Sequence, residues 1–550
     1  NNPEKKKIKA EIRIMGDMKD HLRLPLTSLK VKIADDSFYG VTRFNLFLPH
    51  TREGTNEVFW TLLLNYIKFP AFYSRIIEVK FNGKKYDAIF QEDATKEFLE
   101  RNAFRETVIL KNNDYDFFLN QESVDFYENF FSTSMVIDNG NFIDNGLTAN
   151  IVSEAIALYS TDNFEDRILN NDFFIKIHKK YAGHGLMVIN RKYIFIPYNK
   201  TFVPLYYDGN VNLNFMEDNC KLSLEAQVLK SFSEEYKKLS QRALTLKQKC
   251  IFQEIFSIYK KNYKNRNLSK QYDYNLKYSY KAKYNTIRQK ILNHLETHEL
   301  VDNIDGKEIV YSFILNKKYF LCELDINLEL IKGCQNLPEN EYTELITKYT
   351  PYREFKNYIL FTINLGTLDL PKKTFEILDE TDSEDYNFKL NQPELYLLNI
   401  NSKSKNKYVF SFENPEAKLM IKGYVPIKGK FEFIGNYKDI YSKKKFIDKD
   451  VVRHDKNLLT GCVTFLDVNF QDASISSDKL RCEDSVNILN SKGRIDKIEI
   501  SNSTYDGLDI DFSEISINQM NINNSGNDCA DFSFGKYTIL KSNLNGCKDK

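Results

Sequence analysis

The period of the apolar positions changes several times along the chain, and each change marks a different kind of element. Ser28-Leu29-Lys30-Val31-Lys32-Ile33 alternates residue by residue. Leu29, Val31 and Ile33 therefore share one face of a strand, and Lys30 and Lys32 the other. Residues 8–15 and 41–48 read as further strands. Residues 76–81 and 86–91 flank Asn82-Gly83, the signal of a hairpin with a type I′ turn. In residues 55–67, Val58, Phe59, Leu62, Leu63 and Tyr66 recur at helical spacing behind Thr55, a candidate N-cap. Residues 97–105, 123–131, 147–159 and 163–181 also read as helices, with His178 expected on the surface among lysines. Residues 183–197 and 202–209 are two apolar runs around a polar turn at 198–201, which predicts a second hairpin.

Beyond residue 220 the pattern changes character. Residues 221–299 hold long helical stretches rich in Lys, Glu, Gln and Leu, and predict a helical arm that acts as a spacer with a solvated charged face. Residues 300–425 alternate and lack helix caps, and predict a β-rich accessory domain. Residues 426–550 repeat. Ile500, Ile522 and Leu544 recur about two dozen residues apart; Ile498 and Met520, Asp509 and Asp531, and Phe512 and Phe534 keep the same interval. This predicts a right-handed parallel β-helix, in which each turn buries its apolar face against its neighbours. The pattern stops in mid-turn at Cys547-Lys548-Asp549-Lys550, so the native polypeptide is expected to continue past Lys550. The domains are thus 1–220, 221–299, 300–425 and 426–550.

Composition narrows the picture slightly. The 550 residues contain 77 Lys+Arg and 76 Asp+Glu. A near-neutral chain with no nucleic-acid-binding signature gives no reason to expect nucleic acid as a partner. The opening residues lack the apolar core of a signal peptide. No run reaches the roughly 18 apolar residues of a membrane span. The eight cysteines form no Cys-x-x-Cys pair and no zinc-finger spacing, which argues against structural zinc. The last four fall together and can pack in a core or oxidise.

The candidate chemistry sits at the ends of the second hairpin. His184, Asn190 and Arg191 lie at one end and Asp208 at the other. Asn and Asp supply hard oxygen ligands suited to Mg²⁺ or Mn²⁺ carrying a phosphate. The alternative is a buried hairpin whose Asp208-Gly209 only makes a turn. Lys30 can likewise pair nucleotide phosphates or simply face water.

Several segments in order resemble the CotH kinase-like family, over about residues 10–215. They are Gly40-Val41-Thr42-Arg43-Phe44-Asn45-Leu46 with Thr51-Arg52-Glu53-Gly54; Val79-Lys80-Phe81-Asn82-Gly83 to Phe90-Gln91-Glu92; and Leu99-Glu100-Arg101-Asn102 with Arg105-Glu106. The subgroup with C-terminal extensions is matched by His184-Gly185-Leu186 to Asn190-Arg191-Lys192-Tyr193, then Val203-Pro204-Leu205-Tyr206-Tyr207-Asp208-Gly209.

The resemblance implies a multidomain α+β chain: an atypical protein-kinase-like N-terminal domain, then the arm, accessory domain and β-helix. It implies transfer of the ATP γ-phosphoryl to Ser or Thr of envelope or surface proteins, in the cell envelope or outside the cell. It implies Lys30 as the phosphate-pairing lysine with Lys32 as rival, and Glu92 near that lysine or the nucleotide. Asn190 and Asp208 match the metal-binding positions for Mg²⁺ or Mn²⁺.

The chain departs from the family at two places. His184-Gly185-Leu186 stands where many members carry a catalytic Asp, and imidazole can serve as the base there. Tyr206-Tyr207-Asp208 keeps one acid where others have two. Two alternatives follow. One is an inactive pseudokinase fused to a surface-binding solenoid. The other is a carbohydrate-active β-helix acting on surface polysaccharide, with Asp506, Asp509, Asp511, Asp528 and Asp531 as ligands for Ca²⁺ or sugar, or as plain turn residues.

Overall fold

The computed structural model describes residues 8–15, 21–23, 26–112, 135–139, 142, 151–152, 155, 158–159, 167–187, 190–214, 220–224, 226–262, 309–315, 318–325, 330–338, 373–377, 385–400, 406–423, 425–436, 455 and 457–548. The chain forms two compact units: residues 1–266 with 277–366, and residues 267–276 with 367–550.

The first unit opens with β1 (Ala10–Ile14), the short pair β2 (Leu22–Arg23) and β3 (Leu26–Thr27), then β4 (Leu29–Ile33) and β5 (Arg43–Phe47). Helix α1 (Thr55–Tyr66) follows, and then β6 (Ser74–Phe81) and β7 (Lys84–Glu92). Five of these strands make an antiparallel sheet in the order β1-β4-β5-β7-β6. The alternation read in β4 holds: Leu29, Val31 and Ile33 are buried, whereas Lys30 is half-buried and Lys32 exposed. The β6–β7 turn has Asn82 and Gly83 both at positive φ, as a type I′ turn requires.

Helix α2 (Lys96–Arg101) is capped by Thr95, whose side chain accepts from Phe98 N. Next come β8 (Ile109–Asn112), β9 (Met135–Ile137), α3 (Asn171–Tyr181), β10 (Lys192–Ile196) and β11 (Thr201–Leu205). The four strands form a second antiparallel sheet, β11-β10-β8-β9. The expected hairpin is therefore present at β10–β11, while Gly183–Leu186 is a 3₁₀ turn rather than strand. The helix expected at 123–131 lies outside the described residues. Ile151, Val152, Ala155 and Leu158 of the one expected at 147–159 are helical and buried.

Two expectations are corrected here. Helices α4 (Ala226–Ser240) and α5 (Leu246–Asn262) are not a solvated spacer. They close the core around α1: Phe232, Tyr236, Ile251, Phe252 and Ile255 are buried with Phe59, Trp60 and Leu63 of α1. Phe232 stacks on Phe252 with ring centroids 3.9 Å apart. The charged residues face out, and the apolar stripe beneath them supplies the packing. His178 is not a surface residue either. It is fully buried, accepts from Trp60 Nε1 at 3.3 Å, and has Nδ1 2.7 Å from Phe174 O. Burial holds its pKa down at about 3, so it is neutral in the fold.

A three-stranded antiparallel sheet, β12 (Ile309–Leu315), β13 (Lys318–Asp325) and β14 (Leu330–Leu337), completes the described part of this unit. It includes the hairpin expected early in the accessory region. The segment expected as strand at 355–365 lies outside the described residues.

The second unit is a parallel β-solenoid. One seven-stranded sheet stacks β15 (Lys373–Ile377), β17 (Leu395–Ile400), β19 (Lys418–Gly423), β21 (Gly461–Leu466), β23 (Asp484–Leu489), β25 (Asp506–Asp511) and β27 (Ala530–Ser533). The other stacks β16 (Asp385–Leu390), β18 (Lys407–Phe412), β20 (Ile427–Gly435), β22 (Asn469–Asp478), β24 (Lys492–Ser503), β26 (Glu514–Ser525) and β28 (Lys536–Asn545). The repeats read from the sequence are register partners. Ile498 pairs with Met520, Ile500 with Ile522 and Ile522 with Leu544, and Asp509 with Asp531. The rings of Phe512 and Phe534 stack 5.8 Å apart.

The solenoid starts well before residue 426. Residues 395–400 and 408–412 belong to its early turns, where Tyr386, Tyr408 and Phe431 stack in one column and Phe388, Phe410 and Phe433 in another. Three disulfides are described: Cys220–Cys250 in the first unit, and Cys462–Cys482 and Cys529–Cys547 in the second. Among the described residues, no helix is long and apolar enough to cross a membrane.

Candidate functional site

Antiparallel pairing of β10 with β11 sets the site. Lys192 at the start of β10 lies opposite Leu205 at the end of β11. Whatever precedes β10 and whatever follows β11 must therefore meet at one end of the hairpin. His184, Asn190 and Asp208 meet there. His184 Nδ1 lies 2.8 Å from the backbone oxygen of Asp208 and 3.7 Å from its Oδ1. Asn190 is buried, and its Nδ2 donates to His184 O at 3.0 Å and lies 2.9 Å from Nδ1.

Two glycines allow this approach. A Cβ on Gly185 would lie 3.1 Å from Tyr207 O and 3.3 Å from the Gly209 Cα. One on Gly209 would overlap the Tyr206 ring and the Ala182 methyl. The glycines of the His184-Gly185 and Asp208-Gly209 segments thus let two backbones touch. Asp208 itself has a φ of 49°, uncommon for a residue with a side chain.

Arg52, which follows the 3₁₀ turn Pro49–Thr51, reaches into this group from the first sheet. Its guanidinium forms an ion pair with Asp208 through Oδ2 and donates to Tyr207 Oη at 3.2 Å. It lies 4.3 Å from the ring centre of Phe47 and 5.1 Å from that of Tyr207. Burial by itself would lower the Arg52 pKa. Tyr207, Asp208 and Glu57 outweigh it and hold the pKa above its ordinary value.

Glu57 is fully buried on α1, receiving the Tyr206 hydroxyl at 2.5 Å and Gln91 Nε2 at 2.8 Å. Burial raises its pKa to about 7, against the opposing pull of Tyr206, Arg52 and Gln91. Tyr206 Oη in turn accepts from Gly209 N at 2.9 Å, so Glu57 props the Asp208-Gly209 turn from below.

A second polar group lies on the other side of Tyr207. Lys192 Nζ sits 4.0 Å from the centre of the Tyr207 ring and pairs with Asp138 Oδ2 at 2.5 Å. Lys111 Nζ is 4.0 Å from Asp138 Oδ1. Burial pushes the Asp138 carboxyl up, but Lys192, Lys111 and Lys30 together hold it below its ordinary value. Burial raises the Tyr207 hydroxyl to about 12, and both Asp208 and Asp138 act on it, so Tyr207 joins the two groups.

The remaining expected residues fall as follows. Lys30 pairs with Asp93 Oδ2 at 2.5 Å and is close enough to Asp138 to act on its charge. Lys32, the rival, is exposed and 4.0 Å from Glu11. Glu92 does not meet Lys30. It accepts from Tyr73 N at 3.1 Å and pairs with Arg101 at 3.0 Å, with its pKa raised to about 7 by burial. The reason is phase: successive residues of an extended chain point to opposite sides, so Asp93 takes the side that faces Lys30.

Arg52, Glu57, Tyr207 and Lys192 stand in the segments that resemble the family but carry no role there, and nothing in the sequence points to Asp138. One signal was available for Lys192: it heads the otherwise apolar run Lys192–Ile196 and is itself buried, so it needs an anion. Among the described residues, no three His, Cys, Asp or Glu side chains group to hold a metal by themselves. Comparison of the chain with protein-family models and with curated proteins finds no match.

Proposed function

We propose that the first unit is a CotH-like phosphotransferase that moves the γ-phosphoryl of ATP to Ser or Thr hydroxyls of surface proteins. The observation that carries this reading is the single hydrogen-bonded group formed by His184, Asn190 and Asp208. The amide and the carboxylate are the metal-holding side chains such a transfer uses, and the imidazole beside them stands in for the usual carboxylate base.

The donor set fits a metal ion that arrives with phosphates. Asp208 spends Oδ2 on Arg52, which leaves Oδ1, 3.7 Å from His184 Nδ1, as its oxygen for such an ion; Asn190 turns Nδ2 to His184, and its Oδ1 would be the second ligand. One carboxylate and one amide oxygen would suit Mg²⁺ or Mn²⁺ brought in by a nucleotide. Such an ion would neutralise phosphate charge as the bond to the leaving oxygen breaks.

His184 is prepared for proton transfer by its backbone contact. In this reading the Asp208 carbonyl accepts from Nδ1 and the Asn190 amide donates to His184 O, which leaves the Nε2 lone pair for an incoming hydroxyl. Arg52, pinned by Asp208 and Tyr207, keeps the Asp208 carboxylate in one orientation. The disulfides suit a chain that matures in an oxidising compartment, in keeping with surface substrates. In this reading the solenoid is a platform for those substrates.

The test is transfer of labelled γ-phosphate to mixed Ser/Thr substrates with Mg²⁺ or Mn²⁺. Wild type should transfer well above an Asp208→Ala variant, and equal transfer by the two defeats the reading.

A second reading is favoured by the ion pair on Asp208. An arginine that neutralises the one metal-binding carboxylate suits a pseudokinase that only binds partners. Calorimetry with ATP and Mn²⁺ separates the two, because the pseudokinase gives no metal-dependent heat.

A further inference from the structure

The Asp138 group poses a question that the phosphotransfer residues do not answer. Lys192 and Lys111 are direct register partners on β10 and β8. Like charges directly opposite each other on antiparallel strands destabilise the pair. Lys30 adds a third ammonium from the first sheet and acts on the same carboxylate. Lys30 has Asp93 as its own partner, so Asp138 is left to balance two lysines.

Next to them, Arg52 spends its terminal nitrogens on Asp208 and Tyr207, and its buried Nε makes no hydrogen bond. The place is reachable from solvent: the Lys30 and Lys111 side chains are 23% and 32% exposed. The cations on this side of Tyr207 come from three strands in two sheets, with Asp138 shared by Lys192 and Lys111 and Asp93 paired with Lys30.

Resting on the phosphotransferase reading, we infer that Lys192, Lys111 and Lys30 form the polyphosphate grip of the site, and that Asp138 holds the place of a substrate phosphate. A phosphate chain carries more negative charge than one carboxylate and more acceptor oxygens, so it answers all three ammonium groups at once. On binding, Asp138 gives up Lys192 to the phosphate and turns to water. No covalent step is involved. The assignment moves the main phosphate contact from Lys30 alone to the β8–β10 pair.

Tripolyphosphate titrated into the full chain without metal tests this by calorimetry, at low salt because exposed ion pairs weaken as salt rises. Wild type should bind. Lys192→Met should weaken binding at least tenfold, and Lys111→Met, at a more exposed position, three- to tenfold.

Asp138→Asn should tighten binding several-fold, because it removes the competing anion. Tripolyphosphate should also raise its melting temperature more than it raises that of wild type. Unchanged affinity in both lysine variants, weaker binding by Asp138→Asn, or no binding by wild type overturns the inference.

The two proposals fail separately. A chain that shows this tripolyphosphate pattern but transfers no phosphoryl from ATP loses the enzymatic reading and keeps the grip. One that transfers phosphoryl while Lys192→Met and Lys111→Met bind normally keeps the enzyme and loses the grip.

Discussion

Arg52 and Asp208 close a buried ion pair between two sheets that are far apart in sequence, and the guanidinium is held over the rings of Phe47 and Tyr207. Both side chains are largely removed from water, at 5% and 17% exposure. Removing one partner of such a pair leaves an uncompensated charge, which costs about 3–5 kcal/mol. Arg52→Met should therefore lower the urea midpoint of the first unit by a corresponding amount. An unchanged midpoint would mean that water already screens Asp208.

The proposed base role of His184 leads to an activity prediction. General-base catalysis contributes about 10²–10⁴-fold. His184→Ala should lose that factor in phosphoryl transfer while its affinity for ATP with Mg²⁺ stays near wild type. Loss of affinity without loss of turnover would place His184 in nucleotide binding.

Glu57 predicts a pH dependence. Its folded pKa of about 7 lies above the ordinary 4.5, so the folded chain holds this proton more tightly than the unfolded chain. The contribution to stability is fully present below about pH 4.5 and is lost as pH rises through about 7. It amounts to about 3 kcal/mol. Glu57→Gln mimics the protonated form at every pH. Between pH 5 and pH 8, wild type should lose about 2–3 kcal/mol more than the variant in urea titrations. Parallel losses would show that Glu57 stays ionised in the fold. Comparing the two chains cancels the effects of Glu92 and His178, which both share.

Helices α4 and α5 can be checked by truncating one ring. Phe232 is buried, stacks on Phe252 and meets Phe59 edge-on. Large-to-small changes of this kind cost about 3–5 kcal/mol. Phe232→Ala should lower the unfolding free energy of the first unit by that much, whereas a free arm would let the substitution pass with little effect.

What the sequence showed of this molecule was mostly what repeats or alternates. β4, the Asn82-Gly83 hairpin and the later solenoid turns were legible because the burial of each residue follows from its neighbours in the chain. The early turns were not, because an insertion breaks the period. Leu419 pairs with Val463 and Lys430 with Ser474, roughly twice the usual step. The burial of His178 is hidden for a similar reason: Lys176, Lys179 and Lys180 surround it in sequence, yet the helix turns it inward above Phe174. In the site, His184, Asn190 and Asp208 flank one hairpin and could be read together. Arg52, Glu57 and Asp138 come from distant segments, and their convergence depends on how the sheets pack.

The solenoid has a mechanical consequence. Each turn leans only on the ones before and after it, so opening can begin at an exposed end and travel inward like a zip. Cys529–Cys547 rivets the chain just before β27 to the chain just beyond β28 and so resists any opening of the turn between them. Reducing that bond should speed amide hydrogen exchange in β27 and β28, while the aromatic columns of the early turns keep theirs.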